Sequence, residues 1–195
     1  MTTNKKRTGA SSHPEKARIG AIGENEVVSK LMQHGWDAFN ANCSLKNYKS
    51  IDVVCLKPIN GQWKPDVALV QVKTSVEHNI TTGFTIGASL QREVLEQNVK
   101  GPYVFVYVDT SNSADWKFHY FILSRKQFID LLYASNYWYF NDWYREKEIS
   151  TKSPAGLKVE WLMGGGEDED SKKHKAFNNP LNGSCEDCWE NIWKD

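Results

Sequence analysis

Small and apolar residues recur at helical intervals over 16–34. Gly20, Glu24, Val27 and Leu31 fall at i, i+4, i+7 and i+11, which predicts a helix stopped at Gly35 and sets Glu24 on its inward stripe. The pattern then shortens into strand-like runs at 36–40, 51–56 and 67–73, the last two rich in valine. Between these two lies Asn60-Gly61, a strong turn signal, flanked by Pro58 and Pro65, which cannot donate to a ladder. That reads as an antiparallel hairpin with a loop at its outer end. A Gly/Thr-rich stretch at 81–87 precedes a helix that Ser89 opens and Gly101-Pro102 ends. Runs at 103–108 and 118–123 read as two more strands around a polar turn at 109–115, and Ser124 with Gln127 forms a capping-box pattern for another helix. The order helix-strand-strand-strand-helix-strand-strand-helix predicts an α/β domain with a central mixed sheet of about five strands flanked by helices.

The pattern loosens towards both ends. Aromatic residues crowd 133–144, where packing is the expected role, and a short strand is expected at 157–162. Gly164-Gly165-Gly166 and the acidic run after it predict a flexible charged linker over 164–184. Trp189, Ile192 and Trp193 at helical spacing then predict that the terminal segment 185–195 docks as a helix. Residues 1–15 are polar and basic and read as a flexible arm, which leaves 16–163 as the folded domain.

Composition narrows the class. The 195 residues suit one domain, and 40% hydrophobic with 25% charged residues is ordinary globular usage. No run reaches the length of a membrane span and the start lacks the apolar core of a signal peptide, so the expectation is a soluble cytoplasmic protein with no membrane partner. Four cysteines, two of them single and two as Cys185-x-x-Cys188, are expected to be free thiols. That pair supplies two soft ligands where a structural zinc wants four, so no zinc site is expected. Formal net charge is zero, yet residues 1–20 carry +4 and residues 164–195 carry −4. Any nucleic-acid binding must therefore use a local basic face.

The chemistry concentrates in four residues. Gln71 and Lys73 are separated by one position on a strand and share a face. A hairpin centred near Gly61 brings Asp52 back beside Gln71. Glu24 adds a carboxylate on the packed side of the first helix, where burial without a partner costs several kcal/mol by order of magnitude and a cation relieves it. Gly20 and Gly23 beside it lack side chains where a helix can approach a sheet.

The succession Gly20-x-x-Gly23-Glu24 on a helix, Ile51-Asp52-Val53-Val54 and Gln71-Val72-Lys73 resembles the PD-(D/E)xK nuclease superfamily, with the Gln-x-Lys form similar to its Mrr-like branch and to Holliday-junction-resolvase relatives. The likeness covers residues 16–108. It implies a restriction endonuclease-like core and hydrolysis of DNA phosphodiester bonds with Mg²⁺ or Mn²⁺ and no small-molecule cofactor. It further implies that Asp52, Gln71 and Glu24 hold the metal and that Lys73 assists the attacking water or the transition state. Ile51 stands where the motif names proline, and Gln71 replaces a carboxylate, removing one negative charge from the site. Lys46 and Lys49, with Tyr48 between them, and the hydroxyls of Thr74 and Ser75 are candidate DNA contacts. A homodimer with two such sites is a further expectation. The rival readings are a nuclease fold that binds DNA or a partner without cutting, and an interaction module held by the aromatic patch.

Overall fold

The computed structural model describes residues 13–43, 51–59, 64–86, 90–143, 153–169 and 174–195. The chain opens with α1 (His13–Gln33), whose buried stripe is Gly23, Val27 and Leu31, with Glu24 half-buried at its margin. Gly35 stops it in a left-handed conformation, φ 79°, that a side chain would strain. β1 (Asp37–Asn40), a 3₁₀ turn at Ala41–Cys43, β2 (Val53–Lys57) and β3 (Asp66–Ser75) follow. Next come β4 (Asn79–Thr85), α2 (Arg92–Asn98), β5 (Tyr103–Asp109), β6 (Lys117–Leu123) and α3 (Arg125–Trp138). The expected capping box of α3 is formed, with Ser124 and Gln127 each accepting from the other's backbone. β7 (Pro154–Lys158) and the single turn α4 (Val159–Leu162) complete the larger elements, and a 3₁₀ helix at Trp189–Trp193 closes the chain.

The fold is α/β around a mixed five-stranded sheet of order β1-β2-β3-β5-β6. All neighbours are antiparallel except β3 and β5, which run parallel. Alternation along the strands builds two cores. Ala68, Val70 and Val72 of β3 and Val104, Val106 and Val108 of β5 face α1 and the closing 3₁₀ helix. Tyr103, Phe105, Phe121 and Leu123 face the opposite way, against α2, α3 and a two-stranded sheet of β4 and β7. Each such side chain contributes roughly 1.5–3 kcal/mol when fully buried.

Four expectations need correction. The 81–87 stretch is largely strand: β4 buries Ile80 and Thr82 and pairs with β7, a remote partner, with Asn79 opposite Lys158 and Thr85 opposite Pro154, that no local pattern announces. The strand expected at 157–162 lies earlier and turns helical from Val159, because Trp161 and Leu162 are drawn into the second core. Helix α2 is capped by Gln91 rather than by Ser89, which lies outside the described residues. The segment expected as a linker is packed where it is described: Phe177 and Leu181 are buried, and Asn179 Nδ2 donates to the carbonyls of Trp161 and Gly165. Apolar anchors there outweigh the repulsion of the acidic run.

The terminal segment docks, though as a 3₁₀ rather than an α-helix, with Trp189 and Ile192 buried and Trp193 edge-on to Trp36. The aromatic patch packs through Trp138, which is buried against Trp161 and Phe177, and Trp138 and Trp143 both lie against His174, whereas Tyr137 is exposed. Tyr144 and residues 1–12 lie outside the described residues, and the last three residues of the arm expected at 1–15 are instead the start of α1. Among the described residues no helix is long and apolar enough to cross a membrane.

Candidate active site

The hairpin register decides where the polar residues meet. Val53 stands opposite Val70 and Lys57 opposite Asp66, so one step beyond the ladder sets Asp52 against Gln71. The backbone agrees, since Asp52 N–H donates to the Val70 carbonyl at 3.0 Å. Beyond that point β2 has ended and the N–H of Val72 needs another acceptor. The Asp52 carboxylate supplies it: Oδ2 accepts from Val72 N–H at 2.8 Å and also from the Gln71 side-chain amide. Asp52 is thus held by the strand it serves, and Gln71, only 8% exposed, is fixed with it.

Glu24 reaches the same end of the sheet from α1. Asn40 at the end of β1 donates to Glu24 Oε2 at 2.7 Å. The backbone N–H of Asn42 donates to Asn40 Oδ1 at 2.8 Å, and the Asn42 side-chain amide approaches Asp52 Oδ1 at 3.5 Å. Two asparagines therefore bridge the two carboxylates. Sequence reasoning passed over both; their signal was two amides in the Asn40-Ala41-Asn42 triplet, two positions apart at the close of a strand.

Electrostatics ties the group together. Burial raises the Glu24 carboxyl above the ordinary carboxylate range, the Asn40 hydrogen bond opposes that, and Asp52 adds repulsion that Lys73 partly offsets. Burial lowers the Lys73 ammonium, against the attraction of Asp52 and Glu24. Tyr103, opposite Gln71 on β5, has its phenol pushed well up by burial and by Asp52. Gly83 on β4, at φ 89°, lies over the lysine stem: a Cβ there would stand 3.5 Å from Lys73 Cε.

All four expected residues thus belong to one neighbourhood. Of the two glycines, only Gly23 serves close approach: a Cβ on it would collide with the Thr74 side chain, whereas one on Gly20 would meet nothing. Thr74 accordingly points at α1, on the face away from Gln71 and Lys73, and its Oγ1 is buried without a hydrogen-bond partner. Ser75 Oγ accepts from the Glu77 backbone. Gln91 is exposed as the N-cap of α2. Lys46, Tyr48 and Lys49 lie outside the described residues. Cys185 is buried, Cys188 Sγ donates to the Ser184 carbonyl at 3.5 Å, and both are free thiols. Among the described residues no group of three or more His, Cys, Asp or Glu side chains is placed to hold a metal ion. Glu24 and Asp52 supply two carboxylates and Gln71 an amide, so this candidate set lies outside that description. Compared with family models, curated proteins and solved structures, the chain matches none.

Proposed function

We propose that the chain is a metal-dependent nuclease that hydrolyses DNA phosphodiester bonds, on a core of the restriction endonuclease-like kind. The observation that carries this reading is the meeting of two carboxylates, Glu24 and Asp52, with the half-buried side chain of Lys73 at the end of an otherwise apolar sheet. A core has no use for such a group, and burying it is costly unless something is bound there.

The donors fit a hard divalent cation such as Mg²⁺ or Mn²⁺: carboxylate oxygens of Asp52 and Glu24 and, with its side chain turned over, the amide oxygen of Gln71. When bound, such an ion would polarise a phosphate oxygen and lower the pKa of water. Asp52 is fixed for that role by Val72, and Asn40 orients Glu24. Lys73, held under β4, offers a charge to the phosphorane-like transition state or, with its pKa lowered by burial, a base for the attacking water. Gln71 leaves the site one negative charge short of a three-carboxylate set, which weakens the hold on the cation.

The second reading, a nuclease fold that binds without cutting, draws on the same glutamine. Its amide donates to Asp52 and satisfies that carboxylate with no cation. Incubation of supercoiled plasmid and of branched DNA with Mg²⁺ or Mn²⁺ separates the two. The nuclease reading expects cleavage that Asp52→Ala and Lys73→Ala each lower by about 100-fold or more, and expects Gln71→Glu to lower the Mg²⁺ concentration required. Cleavage that survives both alanines sinks the site; none by the parent chain favours the binding subunit.

A further inference from the structure

We propose that a cleft beside these residues receives an unpaired nucleobase, so that the substrate is a strand with a single-stranded stretch next to the scissile phosphate. The inference rests on the nuclease reading and gives it a substrate class. β3 and β5 run parallel, Ser75 at the end of β3 standing beside Tyr107, two residues before β5 ends at Asp109. Open α/β sheets take ligands beyond such carboxyl ends. A cleft of about 470 Å³ opens there between the first turns of α1, the end of β3, the start of β4 and the 110–116 turn. That volume lies within the range of small-ligand sites.

Its walls suit a base better than a phosphate. Trp116 lines it with 37% of its surface exposed, and Ile19 and Val76 add apolar area. An indole face stacks on any base without regard to sequence. Asn79 and Thr81 contribute an amide and a hydroxyl. Glu15 and Glu77 set two carboxylates against Lys16, a balance that disfavours a phosphate and accepts hydrogen bonds from the exocyclic amine of cytosine. Ser75, also in the wall, shares the sheet face of Lys73 two residues further on, about 7 Å along the strand. A nucleotide whose phosphate sits at Lys73 therefore has its neighbour at the cleft. Bases in a duplex are stacked and must first be turned out, so an unpaired stretch enters at lower cost.

Fluorescence anisotropy of the full chain in EDTA tests this without cleavage, using three labelled probes: oligo(dC) of about twelve nucleotides, an abasic strand of equal charge, and a hairpin duplex. Oligo(dC) is expected to bind at least about tenfold more tightly than the abasic strand. Trp116→Ala should lower that affinity about tenfold and Trp116→Phe less than about threefold, with duplex binding unchanged. Equal binding of the abasic strand, no loss in Trp116→Ala, or an equal loss on the duplex overturns the proposal. Should Trp116→Ala lose its circular-dichroism spectrum, photocrosslinking of 5-iodocytosine to the parent chain decides: adducts on Trp116 support the cleft, and adducts only elsewhere refute it. Binding in EDTA is independent of cutting. A chain that binds oligo(dC) but never cleaves removes the nuclease reading alone, and one that cleaves but ignores Trp116 removes the cleft alone.

Discussion

Glu24 is held in a state its surroundings disfavour. With its carboxyl raised by burial, the folded chain binds a proton there more tightly than the unfolded chain does. Its contribution to stability is fully present below the ordinary carboxylate pKa and is lost as pH rises through the raised value. At neutral pH the metal-free protein therefore carries a penalty. Glu24→Gln should remove it, raising stability in urea melts without divalent ions by up to about 1 kcal/mol, since solvent screens the half-exposed carboxylate, and flattening the pH dependence between acid and neutral pH. A destabilised variant would mean that the Asn40 hydrogen bond and the attraction to Lys73 outweigh burial. Lys73 has the opposite sign, since its lowered pKa makes the fold lose stability as pH falls through that value. Asp52 and Lys73 were legible in the sequence because strand alternation and hairpin arithmetic fix their positions, and Glu24 because helical spacing sets it near the packed stripe of α1. Asn40 and Asn42 were not, because an amide at a strand end is as common in an ordinary turn as in a site.

Contact between α1 and β3 sets how near Glu24 comes to the sheet, and it runs through Gly23. A methyl there meets Thr74 Oγ1, Cβ and Cγ2, so helix and strand must part. Gly23→Ala is expected to cost about 1–3 kcal/mol despite alanine's better helix propensity. Gly20→Ala, three positions away with open space around it, should be neutral or stabilising by up to about 1 kcal/mol. Chemical denaturation of the two variants measures both, and equal effects would refute the close approach. From sequence the two glycines look alike, since periodicity finds a stripe but not which member touches the opposing layer. β2, β3, β5 and β6 were legible through their valine-rich or apolar runs. β4 was hidden because its inward residues are only Ile80 and Thr82 and its partner β7 is remote.

At the scale of the molecule, both ends of the described chain pack on one core. The closing 3₁₀ helix buries Trp189 and Ile192 beside Val27 and Leu31 of α1, and Asn191 Nδ2 donates to the Ile122 carbonyl at 2.8 Å. Lys57 joins it from β2 through Glu190 and lies over the Trp36 and Trp193 rings. Deleting residues 189–195 should therefore cost about 3 kcal/mol or more, visible as a lower thermal midpoint; an unchanged midpoint would mean the segment adds nothing. The packing of 174–185 was illegible for a related reason. Glycine and acidic residues dominate its local composition, while Phe177, Leu181 and Cys185 find their partners only once the domain exists.

The pairing of β4 with β7 also sets an order in time. During synthesis Glu24, Asp52, Gln71 and Lys73 emerge from the ribosome before the residues of β7. The strand that lies over Lys73 has its ladder partner at Pro154–Lys158. Long-range pairing of this kind forms late, because loop closure precedes any reward. A nascent chain carries Lys73 through about 80 further residues before the strand over it gains its ladder, so the lysine is made well before it is confined.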